Sequence, residues 1–184
     1  MSATTVACVE PFIGRFLEQT AARHSWYGGG SAAALACALS AALLEKLACL
    51  PRPERDGKQA GQATSHQAIR AIRKRCTRLI EVDADAFAGV IRASKRHDRA
   101  ATQRALRAAI RVPWQVSVCA QRLLRIAGQM KARVSPRYRV DLRCAEVLAK
   151  ASGNAARALV RANLTWLNEP AARRRIRQQL ARLT

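Results

Sequence analysis

From Ser31 to Leu50 the chain is alanine and leucine, broken only by Ser40, Cys37, Cys49 and the pair Glu45-Lys46. Leucines at 35, 39, 43 and 47 make one slowly drifting stripe, and alanines fill most of the other faces. A helix this small and apolar all round needs other helices around it. The rest of the chain can supply them: 49% of its residues are hydrophobic but only 4% are aromatic, so the core is expected to be alanine, leucine, isoleucine and valine. Alanine and leucine favour helix, and no segment keeps a strand period. The fold class read from this is all-α, an antiparallel bundle of long helices. A chain of 184 residues is most simply one domain, 1–184, and buries roughly 70% of its surface without metals or disulfides.

The elements follow from spacing and breakers. Residues 10–22 form a short amphipathic helix with Phe12, Phe16 and Leu17 on one face. The alanine-rich helix covers 31–50, ended by Pro51 and Pro53, and residues 51–63 read as a polar loop. A long helix covers 65–95, with Ile69, Ile72, Cys76, Leu79, Ile80, Asp83 and Phe87 at helical spacing. Another covers 98–131, with a kink or break expected at Pro113. A turn at 132–136 leads into a helix over 139–167, where Gly153 is a candidate interruption. Pro170 suits the first turn of a last basic helix.

The net charge of +21, mostly arginine, attracts polyanions: nucleic acid, an acidic membrane surface or a substrate with several carboxylates. Solvated helix faces are the blander use. Aromatics do not interleave with the basic residues and no helix-turn-helix pattern stands out, which weakens the nucleic-acid reading. Cys8, Cys37, Cys49, Cys76, Cys119 and Cys144 show neither CxxC nor Cys/His metal spacing and read as small buried hydrophobes with free thiols. The apolar run from Ser31 to Leu44 is too short to span a bilayer, and no signal pattern is seen, so a cytoplasmic protein without a membrane segment is expected.

Candidate chemistry is sparse. Gly28-Gly29-Gly30 opens the backbone, and Ser31 stands where a helix N-cap belongs. Such a junction can cradle an anionic or carbonyl-bearing ligand, or let two helices touch. It is not GxGxxG and no strand precedes it, so a dinucleotide site does not fit. Asp83 lies in line with Leu79, Ile80 and Phe87, placing a carboxylate on an apolar face, whereas Asp85 points elsewhere. Asp141 opens the helix after Pro136. A carboxylate in apolar surroundings is pushed up toward proton-transfer duty, unless an arginine pairs with it or a helix dipole explains it. His24, His66 and His97 have no metal-ligand spacing; His24 lies four residues before the glycines.

Four blocks in order, GGGSAAALACALSAALLEKL, EVDADAFAGVIRASK, VPWQVSVCAQRLL and ASGNAARALVRANLTWL, resemble the cyclodeaminase/cyclohydrolase family, which holds formiminotetrahydrofolate cyclodeaminase and methenyltetrahydrofolate cyclohydrolase. The resemblance runs over residues 10–180. Where that family has proline before its glycines, this chain has Tyr27, and the polar turn before the second aspartate has become Ser135 to Val140. The resemblance implies an all-helical homodimer acting on the one-carbon unit of folate. It implies Asp83 and Asp141 as acid and base, and Gly28, Gly29, Gly30, Ser31, Arg161 and Asn163 as substrate-binding residues. It implies no metal and no permanently bound cofactor, a tetrahydrofolate derivative being the substrate. As a lone domain the chain is read first as a cyclohydrolase of 5,10-methenyltetrahydrofolate. The alternatives are a cyclodeaminase releasing ammonia, or a diverged non-catalytic folate- or nucleic-acid-binding protein.

Overall fold

The computed structural model describes residues 10–50 and 60–183. In chain order the helices are α1 (Glu10–Ala21), α2 (Gly29–Cys49), α3 (Ala60–Lys95), α4 (Arg99–Met130), a single 3-10 turn (Pro136–Tyr138), α5 (Arg139–Thr165) and α6 (Pro170–Ala181). No strand occurs among the described residues. The all-α bundle read from the sequence is the fold.

Helix α2 lies at its centre, packed against α3, α4 and α5. Its alanines explain how. Ala34 and Ala41 are fully buried, and small side chains let three helices approach one axis. Two buried serines tie α2 to α5 in antiparallel register: Ser40 Oγ donates to the Ala145 carbonyl at 2.8 Å, and Ser152 Oγ to the Ala33 carbonyl at 2.8 Å. The 21 residues of α2 are long and apolar enough to cross a membrane by length and composition, longer than the run read from the sequence, and half of the most apolar stretch is buried in the bundle. A second, smaller core joins Ile110, Val160, Leu164, Leu167 and Leu180, seating α6 on α4 and α5.

Several local expectations change. Ser31 is not the N-cap of α2: Gly28 holds that position in an extended conformation, and Ser31 sits inside the first turn, fully buried. Helix α3 begins at Ala60, five residues before the expected start, while residues 51–59 of the expected loop, with Pro51 and Pro53, lie outside the described residues. Pro113 does not break α4, which runs unbroken from Arg99 to Met130. Gly153 does not interrupt α5. A Cβ there would stand 3.3 Å from the Ala120 Cβ, so the glycine lets α5 lie close on α4. On α1, Leu17 is exposed and Phe16 packs edge-on to the Tyr27 ring, 5.4 Å between centroids; the Phe12 side chain lies outside the described residues. Pro170 does open α6.

The cysteines divide. Cys37, Cys76 and Cys119 are buried and meet in the core, where contact with the Cys119 and Cys37 sulfurs, with burial added, pushes the Cys76 thiol up. Cys49 and Cys144 are exposed, against expectation, because they fall on the outer faces of α2 and α5. Cys8 lies outside the described residues.

Candidate active site

The start of α2 and the middle of α3 meet at Asp83. Helical spacing puts Leu79, Ile80 and Asp83 on the side of α3 that faces α2. Ser31 Oγ lies 2.9 Å from the Ile80 carbonyl and 3.2 Å from Asp83 Oδ2, and the Ser31 backbone N–H also donates to the carboxylate. A hydroxyl has one proton and two lone pairs. When Asp83 is ionised, Ser31 can donate to it. When Asp83 is protonated, Ser31 can donate to Ile80 and accept from Asp83. One serine therefore serves both charge states.

Burial raises the Asp83 pKa above its usual value, and the bonds from the Ser31 side chain and backbone oppose that rise without cancelling it. The helix start contributes in the same direction as those bonds, since its dipole favours an anion. Gly30 makes the approach possible: a Cβ there would stand 2.1 Å from Asp83 Oδ1 and 2.4 Å from its Cγ. Of the two uses left open for the glycine junction, close helix contact accounts for Gly30.

Asp83 and the three glycines open on a cavity of about 800 Å³, bounded by the starts of α2 and α4, the C-terminal half of α3 and the end of α5. That volume suits a ligand of cofactor size. Trp26, Phe87 and Trp166 stand at it, each partly exposed, with Trp26 and Phe87 edge-to-face at 6.4 Å. Gln103 steadies the rim by donating to the Trp166 carbonyl at 3.2 Å and accepting from the Asn168 backbone N–H at 2.7 Å. Among the described lining residues Asp83 is the one carboxylate, and there is no lysine, arginine or histidine. On a chain of net charge +21 that is a marked local exception.

The expected site residues separate. Gly28, Gly29, Gly30, Asp83 and Asn163 line the cavity. Ser31 is buried behind it and acts on Asp83. Arg161 is exposed and not in the lining, because two residues along α5 turn it by about 200° from Asn163, which does line the cavity. Asp141 does not join Asp83 within one chain. It pairs with Lys46 at 3.1 Å near the surface and sits eighteen residues before Leu159 on α5, roughly 27 Å along the axis at about 1.5 Å per residue. The adjacent Ser135–Tyr138 turn borders only a crevice of about 10 Å³. His24 is exposed and outside the lining. Asp85 is exposed, as its helical phase predicts.

Three features of the site escaped the sequence reading: the aromatic rim, Gln103, and the pairing of Pro113 with Asn163. The first two carry no local signal, since Phe87 falls on the apolar stripe and Gln103 on a polar one. The third had a partial signal, a proline inside an otherwise unbroken helical pattern. No group of three or more His, Cys, Asp or Glu side chains among the described residues could hold a metal ion.

Residues 12–182 match the model of the formiminotransferase-cyclodeaminase family. The chain belongs to that family. A solved structure of formiminotetrahydrofolate cyclodeaminase from Thermotoga maritima has the same fold, with a TM-score of 0.86 at 22% identity over 93% of this chain and 87% of that one. No curated protein matches the sequence. The family is a folate-related, cyclodeaminase-type one, and the family model backs the cyclodeaminase alternative better than the cyclohydrolase reading put first.

Proposed function

We propose that this protein is a folate one-carbon enzyme of cyclodeaminase type, closing 5-formiminotetrahydrofolate to 5,10-methenyltetrahydrofolate with loss of ammonia. The observation that carries the reading is Asp83, a single carboxyl group held by Ser31 in a cavity otherwise without charged side chains among its described lining. In this reaction N10 attacks the carbon of the protonated formimino group, C=NH2+, and the C=N electron pair moves onto nitrogen to leave an amino group. The tetrahedral carbon then loses its amino group as ammonia, and the N5 and N10 lone pairs close the amidinium cation. One proton must leave N10 and one must reach the departing nitrogen.

Asp83 serves both transfers, taking the N10 proton and delivering it to the leaving group. A pKa above the ordinary carboxylate value suits a group that must hold a proton between two steps. The Ser31 hydroxyl follows each change of charge by turning between Asp83 and the Ile80 carbonyl. Once ionised, Asp83 faces the product cation with no competing lysine or arginine in the described lining.

The test is to supply purified protein with 5-formiminotetrahydrofolate and follow ammonia and methenyl absorbance together. Equal amounts of both are expected, with Asp83→Asn slower by ~10²-fold or more, the usual scale for a lost acid–base group. Hydrolysis of methenyltetrahydrofolate without ammonia production from the formimino substrate would replace this reading with the cyclohydrolase one. Full activity in Asp83→Asn would remove Asp83 from the chemistry.

A further inference from the structure

Pro113 lies in the interior of α4 and is fully buried. It has no N–H, so the carbonyl four residues earlier, that of Ala109, loses its helical partner. Asn163 of α5 replaces it, its Nδ2 donating to the Ala109 oxygen at 2.9 Å. Ala109, Pro113 and Asn163 all line the cavity that holds Asp83. One backbone hydrogen bond of α4 is missing where the helix forms the cavity wall.

This repair leaves acceptors unspent. A carbonyl oxygen has two lone pairs, and Asn163 uses one. With Nδ2 turned to Ala109, the carboxamide oxygen Oδ1 has no partner among the described residues. Among the described residues no buried side-chain oxygen or nitrogen lacks a partner, so Oδ1 is reached by solvent, and the cavity is the space that Asn163 lines. Two acceptors thus stand side by side in a wall without lysine, arginine or histidine among its described lining, close to flat aromatic rings.

We infer that the Ala109 carbonyl and the Asn163 carboxamide, exposed by Pro113, form a subsite for a flat ring edge carrying adjacent N–H donors, the edge of a 2-amino-4-oxopyrimidine. Asn163 is then a specificity-determining residue that reads the ring's ring N–H and exocyclic amino group. Assigning that edge to the pterin of the substrate rests on the folate reading of the same cavity. It orients the ligand with its ring at the α4–α5 wall and its reacting carbon toward Asp83 and the glycines.

The experiment measures binding of tetrahydropterin and of its analogue with methyl in place of the 2-amino group. The proteins are the wild type, Asn163→Ala and Pro113→Ala. Pro113→Ala restores an N–H to the Ala109 carbonyl, regularises α4 and releases Asn163, so it serves as the second variant should Asn163→Ala fold poorly. The wild type is expected to prefer the amino ring by about tenfold or more, the effect of leaving buried acceptors unpaired in the analogue. Both variants are expected to bring that preference to within about threefold. A purely structural role for Asn163 would weaken both ligands alike and keep their ratio.

Equal wild-type affinities, no tetrahydropterin binding, or variants that keep the full preference would each overturn the subsite, even with one-carbon turnover intact. A preference that depends on Asn163 in a protein inactive toward both formimino and methenyl substrates would support the subsite and remove the one-carbon reading instead.

Discussion

Replacing Gly30 with alanine tests whether Asp83 is held in place by the close approach of two helices. The new Cβ would stand 2.1 Å from Asp83 Oδ1, where ordinary contact begins near 3.4 Å, so the carboxyl group must retreat by the difference, about 1.3 Å. Its contact with Ser31 Oγ is already 3.2 Å and does not survive such a shift. A hydrogen bond to a charged group is worth about 1.5–3 kcal/mol, and the alanine gains up to about 1 kcal/mol of helix propensity. The expected net loss is about 1–2 kcal/mol, or a melting temperature lower by roughly 2–8 °C at this chain length.

In an Asp83→Ala background the obstruction is gone, and the same Gly30→Ala change is expected to stabilise by up to about 1 kcal/mol. Urea melts of the wild type, both single variants and the double variant form a cycle whose coupling is expected near 2 kcal/mol, within the range for residues in contact. Destabilisation of the same size in both backgrounds would show that Gly30 is required for some reason other than Asp83, and the account of the junction would be wrong.

Asp83→Asn is expected to be more stable than the wild type at pH 8. A carboxyl whose folded pKa is raised penalises the folded state once it ionises, so the gap should narrow as pH falls through that raised value toward the ordinary carboxylate range. Glu45 and Glu146, held below their usual value by Arg73 and by Lys131, act alike in both proteins and cancel in the difference between two urea titrations. Asp141→Asn severs only a surface pair with Lys46 and is expected to change stability by less than about 1 kcal/mol and turnover by less than about threefold, read from melts and initial rates. In native protein Cys49 and Cys144 should react quickly with a thiol reagent, and Cys37, Cys76 and Cys119 only after denaturation. Light scattering is expected to show a homodimer, since Leu39 on α2 and Val140 and Val147 on α5 leave large apolar side chains exposed on one chain; a monomer at micromolar concentration would refute it.

Periodicity alone settled that this chain is a bundle of long helices. The alanine-rich segment has no face to show to water, and a 3.6-residue pattern can be counted in the sequence. The same counting marked Asp83 as a carboxylate on an apolar face and Asp85 as its solvated neighbour. It could not settle what lies opposite each face. Ser31 looked like a cap because serine before a helical run usually is one, but the helix starts earlier, at Gly29, since α3 comes close enough at Gly30 to place Asp83 over the first turn. Pro113 looked like a break because a proline's lost hydrogen bond is a local fact, whereas Asn163, fifty residues away, makes it good only once α5 lies on α4. Asp83 and Asp141 looked like a pair because both are acids beside apolar residues. Their separation is decided by the antiparallel register of α2 and α5, which carries Asp141 to Lys46 at the far end of α2 from the glycines. Local pattern fixes which side of a helix is buried, and the order of packing between helices fixes which buried groups meet.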